Sequence, residues 1–219
     1  MENHKLYKNF VVKKGKNEDL VELIKLLEQL PPKGMLFTHS QQLLHFFLKY
    51  LLNNPLGIIV FAVEKNSGRA IGYVIAIRDP VVFWSKFILH HFLLINPLPF
   101  IKKLWSFIKD IISTFLKHSE NKNQLRFKKT SDNLNKFTWS PSNFEIARII
   151  FIGVLMDFQK IGLGSELYSF LAEILKKEGC KKIEAHIDAD NEPSLKLHKN
   201  TGWHIEKLKD GDYKAILKL

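Results

Sequence analysis

The feature that most constrains this chain is a turn with two glycines where an apolar strand meets an amphipathic helix. The strand is predicted over Ile149 to Leu155 and the helix over Gly162 to Lys177. Glycines at this place allow a tight turn and a close backbone approach to a ligand, and the helix adds the positive end of its dipole. The junction predicts an anion site, although a Gly-x-Gly pair also opens many helices that bind nothing. The turn reads Gln159-Lys160-Ile161-Gly162-Leu163-Gly164-Ser165.

A second segment agrees with this interpretation. It reads as a short helix with Asn191 as its cap, Pro193 in its first turn and Gly202 at its end. Together the two segments resemble the acyl-CoA-binding half of the GNAT superfamily of N-acetyltransferases. That family carries Gln/Arg-x-x-Gly-x-Gly/Ala before its central helix, then a strand, Asn-x-x-(Ala/Ser), an aromatic residue that is usually Tyr, and Gly-Phe. The match runs from about Glu145 to Lys207.

The resemblance implies an α/β fold in which a mixed central sheet is flanked by helices. It also implies acetyl-CoA as the acyl donor. Pantetheine would lie where the strand Ile149 to Leu155 splays from the strand Lys181 to Ile187, beside main-chain groups near Val154 and Met156. The pyrophosphate would lie on the N–H groups of residues 160–165, with Gln159 supporting the loop and Lys160 adding charge. Two common family residues are missing, because Lys160 and Met156 stand where Gly and Pro are frequent.

The resemblance assigns roles to the second segment as well. Asn191 and Ser194 match the family's Asn-x-x-(Ala/Ser), in which the Asn contacts the cofactor arm, and a plain helix cap is the alternative. His198 stands where the family often has the Tyr that protonates the departing thiolate. An imidazole with a pKa of about 6.5 could supply that proton when charged. A plain histidine on the surface of the helix is the alternative.

The general base is not identified by the sequence. Some family members use a Glu on the strand before the turn, and Arg148 occupies that place here. Glu145 is three residues away and should face the other side of the strand. The other candidates are His186, Asp188 and His39, each of which is more often structural.

The remaining segments follow the same family order. Before the turn, the sequence predicts a strand, two helices and a hairpin. The strand is Phe10 to Val12, and the helices run from Asn17 to Leu30 and from Thr38 to about Leu52. The hairpin joins Gly57 to Val63 with Ala70 to Ile77. Two antiparallel strands, Trp203 to Leu208 and Tyr213 to Leu217, close the domain. The chain of 219 residues is therefore expected to form one GNAT-like domain over 1–219.

An insertion over 80–140 separates the third and fourth strands. Its second half carries an unbroken apolar helical stripe from Ile101 to Leu116 opposite lysines, so it predicts an amphipathic, basic helical insertion. The stretch Phe87 to Ile101 has no formal charge but is too short to cross a membrane. Three interpretations are open: packing on the domain or a second subunit, peripheral contact with an anionic membrane through 80–118, or a lid over the acceptor site.

Charge and cysteine content limit the partners and the compartment. The formal net charge of +11 favours polyanionic partners. No nucleic-acid-binding motif accompanies it, so nucleic acid is not the expected partner. The single cysteine, Cys180, excludes an intramolecular disulfide and a Cys-pair metal site. We expect no metal, a cytoplasmic protein with peripheral membrane association as an option, and a homodimer as a further option.

Two functions are consistent with these observations. The first is an acetyl-CoA-dependent N-acetyltransferase whose acceptor is a primary amine, such as an amino sugar or a lipid-linked amine. The alternative is a non-catalytic acyl-CoA-binding module that docks on a membrane or a protein partner.

Overall fold

The computed structural model describes residues 9–31, 41–92 and 145–219, without the side chains of 41, 43, 81 and 88–92. The chain divides into two compact units, one of residues 1–87 with 143–219 and one of residues 88–142. Only residues 88–92 of the second unit are described. The predicted insertion and its amphipathic stripe therefore lie mostly outside the described residues, as do Thr38 and His39.

The first unit has the predicted element order, with boundaries close to those read from the sequence. Its helices are α1 (Leu20–Gln29), α2 (Gln41–Asn53), the start of α3 (Pro80–Phe92), α4 (Leu163–Lys177) and α5 (Glu192–Asn200). Its strands are β1 (Phe10–Lys14), β2 (Gly57–Glu64), β3 (Ala70–Arg78), β4 (Ile146–Val154), β5 (Lys182–Ile187), β6 (His204–Lys207) and β7 (Tyr213–Lys218).

The described strands form one sheet of seven in the order β1-β2-β3-β4-β5-β7-β6. The pair β4–β5 is parallel and the other described pairs are antiparallel. The predicted mixed sheet and the predicted antiparallel closing pair are confirmed. Strand β7 lies between β5 and β6, so the last strand of the chain is not at the edge of the sheet.

The parallel strands β4 and β5 pair only over the first four residues of each. Their register runs from Ile146↔Lys182 to Ile149↔Ala185. Beyond that pair β4 continues to Val154 and β5 to Ile187 without a shared register. We call this opening the split.

A β-bulge in β4 lies at the start of the split. Ile75 and Ala76 are consecutive in β3, but they pair with Phe151 and Ile149, which leaves Ile150 as an extra residue. A bulge bends its strand and shifts the alternation of side chains between faces. Arg148, Phe151 and Gly153 therefore share one face, which simple alternation along the sequence does not predict.

Helices cover both faces of the sheet. The hydroxyl of Tyr73 on β3 donates to the Leu30 carbonyl at the end of α1, at 2.9 Å. We call this side the α1 face; it includes Arg148, since Ile77 shares a face with Tyr73 and pairs with Arg148. On the opposite side, the α4 face, Leu163 packs over Gly72.

The start of α3 packs on α2. Phe83, Trp84 and Phe87 are buried, and their rings lie 5.8 to 6.5 Å from the ring of Phe47. Aromatic rings at such distances bury large apolar areas together. This residue cluster holds the first turns of α3 on α2 within the first unit. Among the described helices, none has the length and apolarity needed to span a membrane.

Candidate functional site

The glycine turn joins the end of β4 to α4 and lies beside the split. A short 3-10 turn at Met156–Phe158 follows β4, and α4 begins at Leu163. Gly162, which precedes α4, has a φ of 88°, a left-handed conformation that glycine adopts without strain. Gly162 has no side chain with which to cap the helix. The first N–H groups of α4 therefore point out of the helix toward the turn, as an anion site requires.

Lys160 also has a left-handed backbone, with a φ of 63°. A side chain at this conformation costs about 1–2 kcal/mol relative to right-handed backbone. This is the position at which the family frequently has glycine. Lys160 thus adopts a backbone conformation that a glycine would adopt without strain.

The carbonyl of Val154 points toward the split. The N–H of Leu155 donates to the Ile71 carbonyl of β3 at 2.9 Å, and the carbonyl of the same peptide group points the opposite way. Gln159 Nε2 donates to that carbonyl at 3.0 Å. Gln159 therefore ties the turn to the end of β4, which agrees with its predicted supporting role. Met156, the other predicted main-chain partner, has a side chain that is 83% exposed.

Gly164 has a packing role that the sequence analysis missed. A Cβ at this position would lie 3.0 Å from Leu197 Cδ2 of α5. The absence of a side chain lets α5 approach the first turn of α4. Ser165, the next residue, is half-buried in the same turn.

Asn191 acts as the predicted helix cap. Its Oδ1 accepts the N–H of Ser194 at 3.1 Å, which satisfies one of the first amides of α5. Pro193 lies in the first turn, where its missing N–H has no cost. The structure thus shows the capping contact, and contact of Asn191 with a cofactor stays a prediction.

His198 is buried between α4 and α5. It is 1% exposed, so it is not a surface histidine. Its Nδ1 lies 2.7 Å from the Ser194 carbonyl, which can only accept, so Nδ1 carries the proton. Its Nε2 lies 2.9 Å from the hydroxyl of Tyr168, which is then the donor. Both nitrogens of the neutral ring have partners.

This environment disfavours a charged imidazole at His198. Burial lowers the pKa of His198, and the hydrogen bond to the Ser194 carbonyl opposes this shift only in part. Burial also raises the pKa of the Tyr168 hydroxyl. At neutral pH His198 is therefore a neutral ring that accepts a hydrogen bond from Tyr168.

Tyr168 and Trp203 complete this buried cluster. The Trp203 ring lies 5.3 Å from the Tyr168 ring and 4.8 Å from the His198 ring. Tyr168 was missed as a site residue, although its spacing from Leu171 and Leu175 places it on the buried stripe of α4. Its position on that stripe was a usable sequence signal for burial, but nothing in the sequence pairs it with His198.

A group of charges lies on the α1 face beside the split. Glu184 Oε1 contacts the ammonium groups of Lys182 at 3.0 Å and Lys214 at 3.1 Å, and Oε2 contacts the Arg148 guanidinium at 3.3 Å. Burial alone would raise the pKa of Glu184, but the two lysines outweigh it and lower the pKa from 4.5 to about 2. Glu184 is therefore ionised at neutral pH and is a poor general base. We call these four residues the Glu184 cluster.

The other base candidates have separate positions. His186 Nε2 lies 2.9 Å from Asp212 Oδ2, whose Oδ1 accepts the N–H of Ala189. With Asp188 they form a group whose metal-ligating atoms lie within 4.8 Å of one another. Asp212 thus contacts β5 through His186 and the following loop through Ala189, so we interpret the group as a support for that loop. Glu145 forms an ion pair with Lys181 at the beginning of β4 and β5.

A sheet that splits beside a glycine turn and a helix N-terminus is the arrangement that the resemblance to the GNAT superfamily implied. The family model described as Acetyltransferase (GNAT) family matches residues 133–203. This segment matches the GNAT superfamily of acetyltransferases, and the described residues have the GNAT fold. The predicted resemblance to this family and the predicted fold class are thereby confirmed.

Known relatives agree with this assignment. A 45-residue segment is 40% identical to phosphinothricin N-acetyltransferase from Streptomyces viridochromogenes, covering 20% of this chain and 25% of that protein. A GNAT acetyltransferase from Streptococcus pneumoniae has a similar structure, with a TM-score of 0.55, 13% identity and coverage of 96% of this chain and 99% of that one. The structure of Arabidopsis thaliana NAA60 in complex with acetyl-CoA is also similar, with a TM-score of 0.53 and 14% identity. This likeness covers 96% of this chain and 98% of that one. The curated match thus spans a quarter of that relative's length, and the structural likenesses show the fold.

Proposed function

We propose that the chain transfers the acetyl group of acetyl-CoA to a primary amine. The observation that carries this proposal is the split between β4 and β5 directly beside the left-handed turn at Gly162. The part of β4 beyond Ile149, which has no shared register with β5, suits the pantetheine arm, and the uncapped amides of α4 suit the pyrophosphate. The match to the family model and the similar fold of NAA60, which was solved with acetyl-CoA, support the same donor.

In this reaction the neutral amine nitrogen attacks the thioester carbonyl carbon. An N–C bond forms, the C–S bond breaks, the nitrogen loses one proton and the thiolate gains one, so the products are an amide and CoA. The residues proposed to hold the donor are Val154, Met156, Gln159, residues 160–165, Asn191 and Ser194. His198 was predicted to protonate the thiolate. Because its Nδ1 proton is directed to Ser194, we propose that it positions α5 against α4 instead.

The acid–base groups also favour the second candidate function, a non-catalytic acyl-CoA-binding module. His198 is buried and neutral, and Glu184 is ionised because its pKa is low. Arg148 stands where some family members have a Glu that acts as the general base. Release of CoA in the presence of a broad panel of amines decides between the two functions. An amide product supports the enzyme, and saturable acetyl-CoA binding without any product supports the module.

Finer predictions from the sequence extend the proposal. An amino sugar or lipid-linked amine as acceptor, contact with an anionic membrane through 80–118, and a homodimer stay predictions. Co-sedimentation with anionic vesicles, before and after replacement of 80–135 by a short linker, tests the membrane prediction. Equal binding by both proteins contradicts it.

The donor site is tested by thermal unfolding with acetyl-CoA. At a hundredfold excess over Kd the ligand stabilises the fold by about 2.7 kcal/mol, a shift of about 5–10 °C for a chain of this size. Ser165→Glu places a carboxylate in the first turn of α4, which suits the helix dipole but repels a pyrophosphate. We expect it to fold and to lose the shift.

Ser169→Glu is the matched control for this test, because Ser169 is exposed about one turn further along α4. It should retain the shift. Unaltered protein that shows no shift with millimolar acetyl-CoA, or a shift no larger than the one ATP gives, contradicts the donor site.

A further inference from the structure

The Glu184 cluster contains more positive charge than its carboxylate requires. The Glu184 side chain is 6% exposed, and three cationic side chains contact it. One cation is sufficient to neutralise one buried carboxylate. Within the cluster, two positive charges exceed that need.

Neighbouring acids on the same strands have contacts of their own. Glu206 is the cross-strand neighbour of Lys214, and its carboxylate lies 3.4 Å from His204. Asp212 contacts His186 at 2.9 Å. Lys182 and Lys214 nevertheless keep 37% and 23% of their side chains exposed, so both ammonium groups border on solvent.

The cluster is at the place an acceptor must reach. The pair Arg148↔Glu184 is one step before Ile149↔Ala185, after which β4 and β5 separate. On the α4 face, buried residues of α4 and α5 occupy the space behind the strands: Leu163, Leu167, Tyr168, Leu171 and His198. An amine therefore approaches a thioester in the split from the α1 face, past the lysines.

We propose that the acceptor amine carries an acidic group, a carboxylate or a phosphate, that binds Lys182 and Lys214 on the α1 face. The inference rests on the proposed acetyl transfer and adds a substrate class to it. Glu184 holds both ammonium groups in place, so little side-chain freedom is lost when an anion binds them. Charge-assisted hydrogen bonds from such groups are about twice as strong as neutral ones.

The test compares amines that differ in one anionic group. The pairs are O-phosphoethanolamine with ethanolamine, L-glutamate with L-glutamine, and 4-aminobutyrate with butylamine. With the unaltered protein we expect kcat/KM to be at least about tenfold higher for the acidic member of one or more pairs. The phosphate and carboxylate pairs show which anion the site takes.

Variants connect that preference to the lysines. Lys182→Met and Lys214→Met keep the stem and remove the charge, and each should lower the preference about tenfold through KM. Lys182→Arg and Lys214→Arg restore positive charge and should recover it in part. Lys207→Met, at an exposed position on β6 outside the cluster, should leave it unchanged.

Two outcomes separate this inference from the proposed function. Acetylation of neutral amines as fast as acidic ones overturns the inference and leaves the function intact. If no amine is acetylated, the function fails, and calorimetry with CoA-saturated protein still tests the anion site. Tighter binding of O-phosphoethanolamine than ethanolamine, lost in Lys214→Met, supports the site, and equal binding of the two overturns it.

Discussion

The Tyr168 hydroxyl lies 2.9 Å from Nε2 of His198, and this buried contact joins α4 to α5. Helix α4 begins at the glycine turn, and α5 begins at the Asn191 cap. The two proposed halves of the donor site are thus held together by one side-chain hydrogen bond and by the packing of Leu197 over Gly164.

Tyr168→Phe removes the donor to His198 and leaves Nε2 buried without it. An unsatisfied buried acceptor costs about 1–3 kcal/mol, so the free energy of unfolding should fall by that amount in urea titrations. Tyr213→Phe, on the half-buried strand β7, is the control and should change it by less than about 0.5 kcal/mol. Equal losses in the two variants would mean that the Tyr168–His198 bond is not stabilising.

The buried neutral state of His198 predicts a dependence of stability on pH. The pKa of His198 is lowered in the folded protein, so below about pH 6.5 the unfolded chain binds a proton that the folded chain does not. Stability should therefore fall as pH decreases from about 6.5, by up to about 1.4 kcal/mol per pH unit. The fall ends below the folded-state pKa.

Urea titrations between pH 7 and pH 5 check this. His198→Gln should lose the dependence, even though it is less stable overall, because it cannot be protonated. His204→Gln, at an exposed position on β6, should keep it. An unchanged slope in His198→Gln would show that another group is responsible.

The sequence predicted the fold well where local patterns decide it. The apolar periodicity of α4, the Gly162 turn and the Asn191 cap each have a local physical cause, and the structure contains all three. The bulge at Ile150 has no such signature, because its cause is the pairing of β4 with β3. The faces of the residues after Arg148 could not be assigned without it.

Site chemistry depended still more on tertiary contacts. His198 reads as a polar residue on a short helix, and only its packing against Tyr168 and Trp203 makes it buried and neutral. Likewise, Lys182, Glu184 and Lys214 come from two strands. Their convergence depends on the order of the strands in the sheet, which the lysine-rich composition does not reveal.

Gly153→Ala should destabilise the fold through Tyr73. A Cβ on Gly153 would lie 2.9 Å from Tyr73 Cε1, and that ring is buried and tied to Leu30. Overpacking of this kind costs about 1–3 kcal/mol. Calorimetry should show a lower Tm. In a double-mutant cycle, Gly153→Ala should lower the free energy of unfolding less in the Tyr73→Leu background than in the unaltered protein. Strictly additive losses of unfolding free energy would contradict the clash.

The low pKa of Glu184 predicts a second, more acidic loss of stability. Its folded-state pKa is about 2 and its ordinary value is 4.5. The carboxylate therefore stabilises the fold above about pH 4.5, and this contribution of about 2–3 kcal/mol is lost as pH falls toward 2. Acid titrations of Glu184→Gln should lack this loss. A control variant, Glu192→Gln at an exposed position in α5, should retain it.

Lys160→Gly should separate backbone strain from charge. The φ of 63° at Lys160 suits glycine, and relief of that strain outweighs the added freedom of the unfolded chain, so Tm should rise, corresponding to about 0.5–1 kcal/mol. Acetyl-CoA should bind more weakly, because the proposed pyrophosphate site loses a positive charge. Lys160→Asn, which also tolerates left-handed backbone, should weaken binding similarly with a smaller rise in Tm. Tighter binding of acetyl-CoA by Lys160→Gly would show that the lysine charge does not contribute to the donor site, and an unchanged Tm would show that the turn stores no strain there.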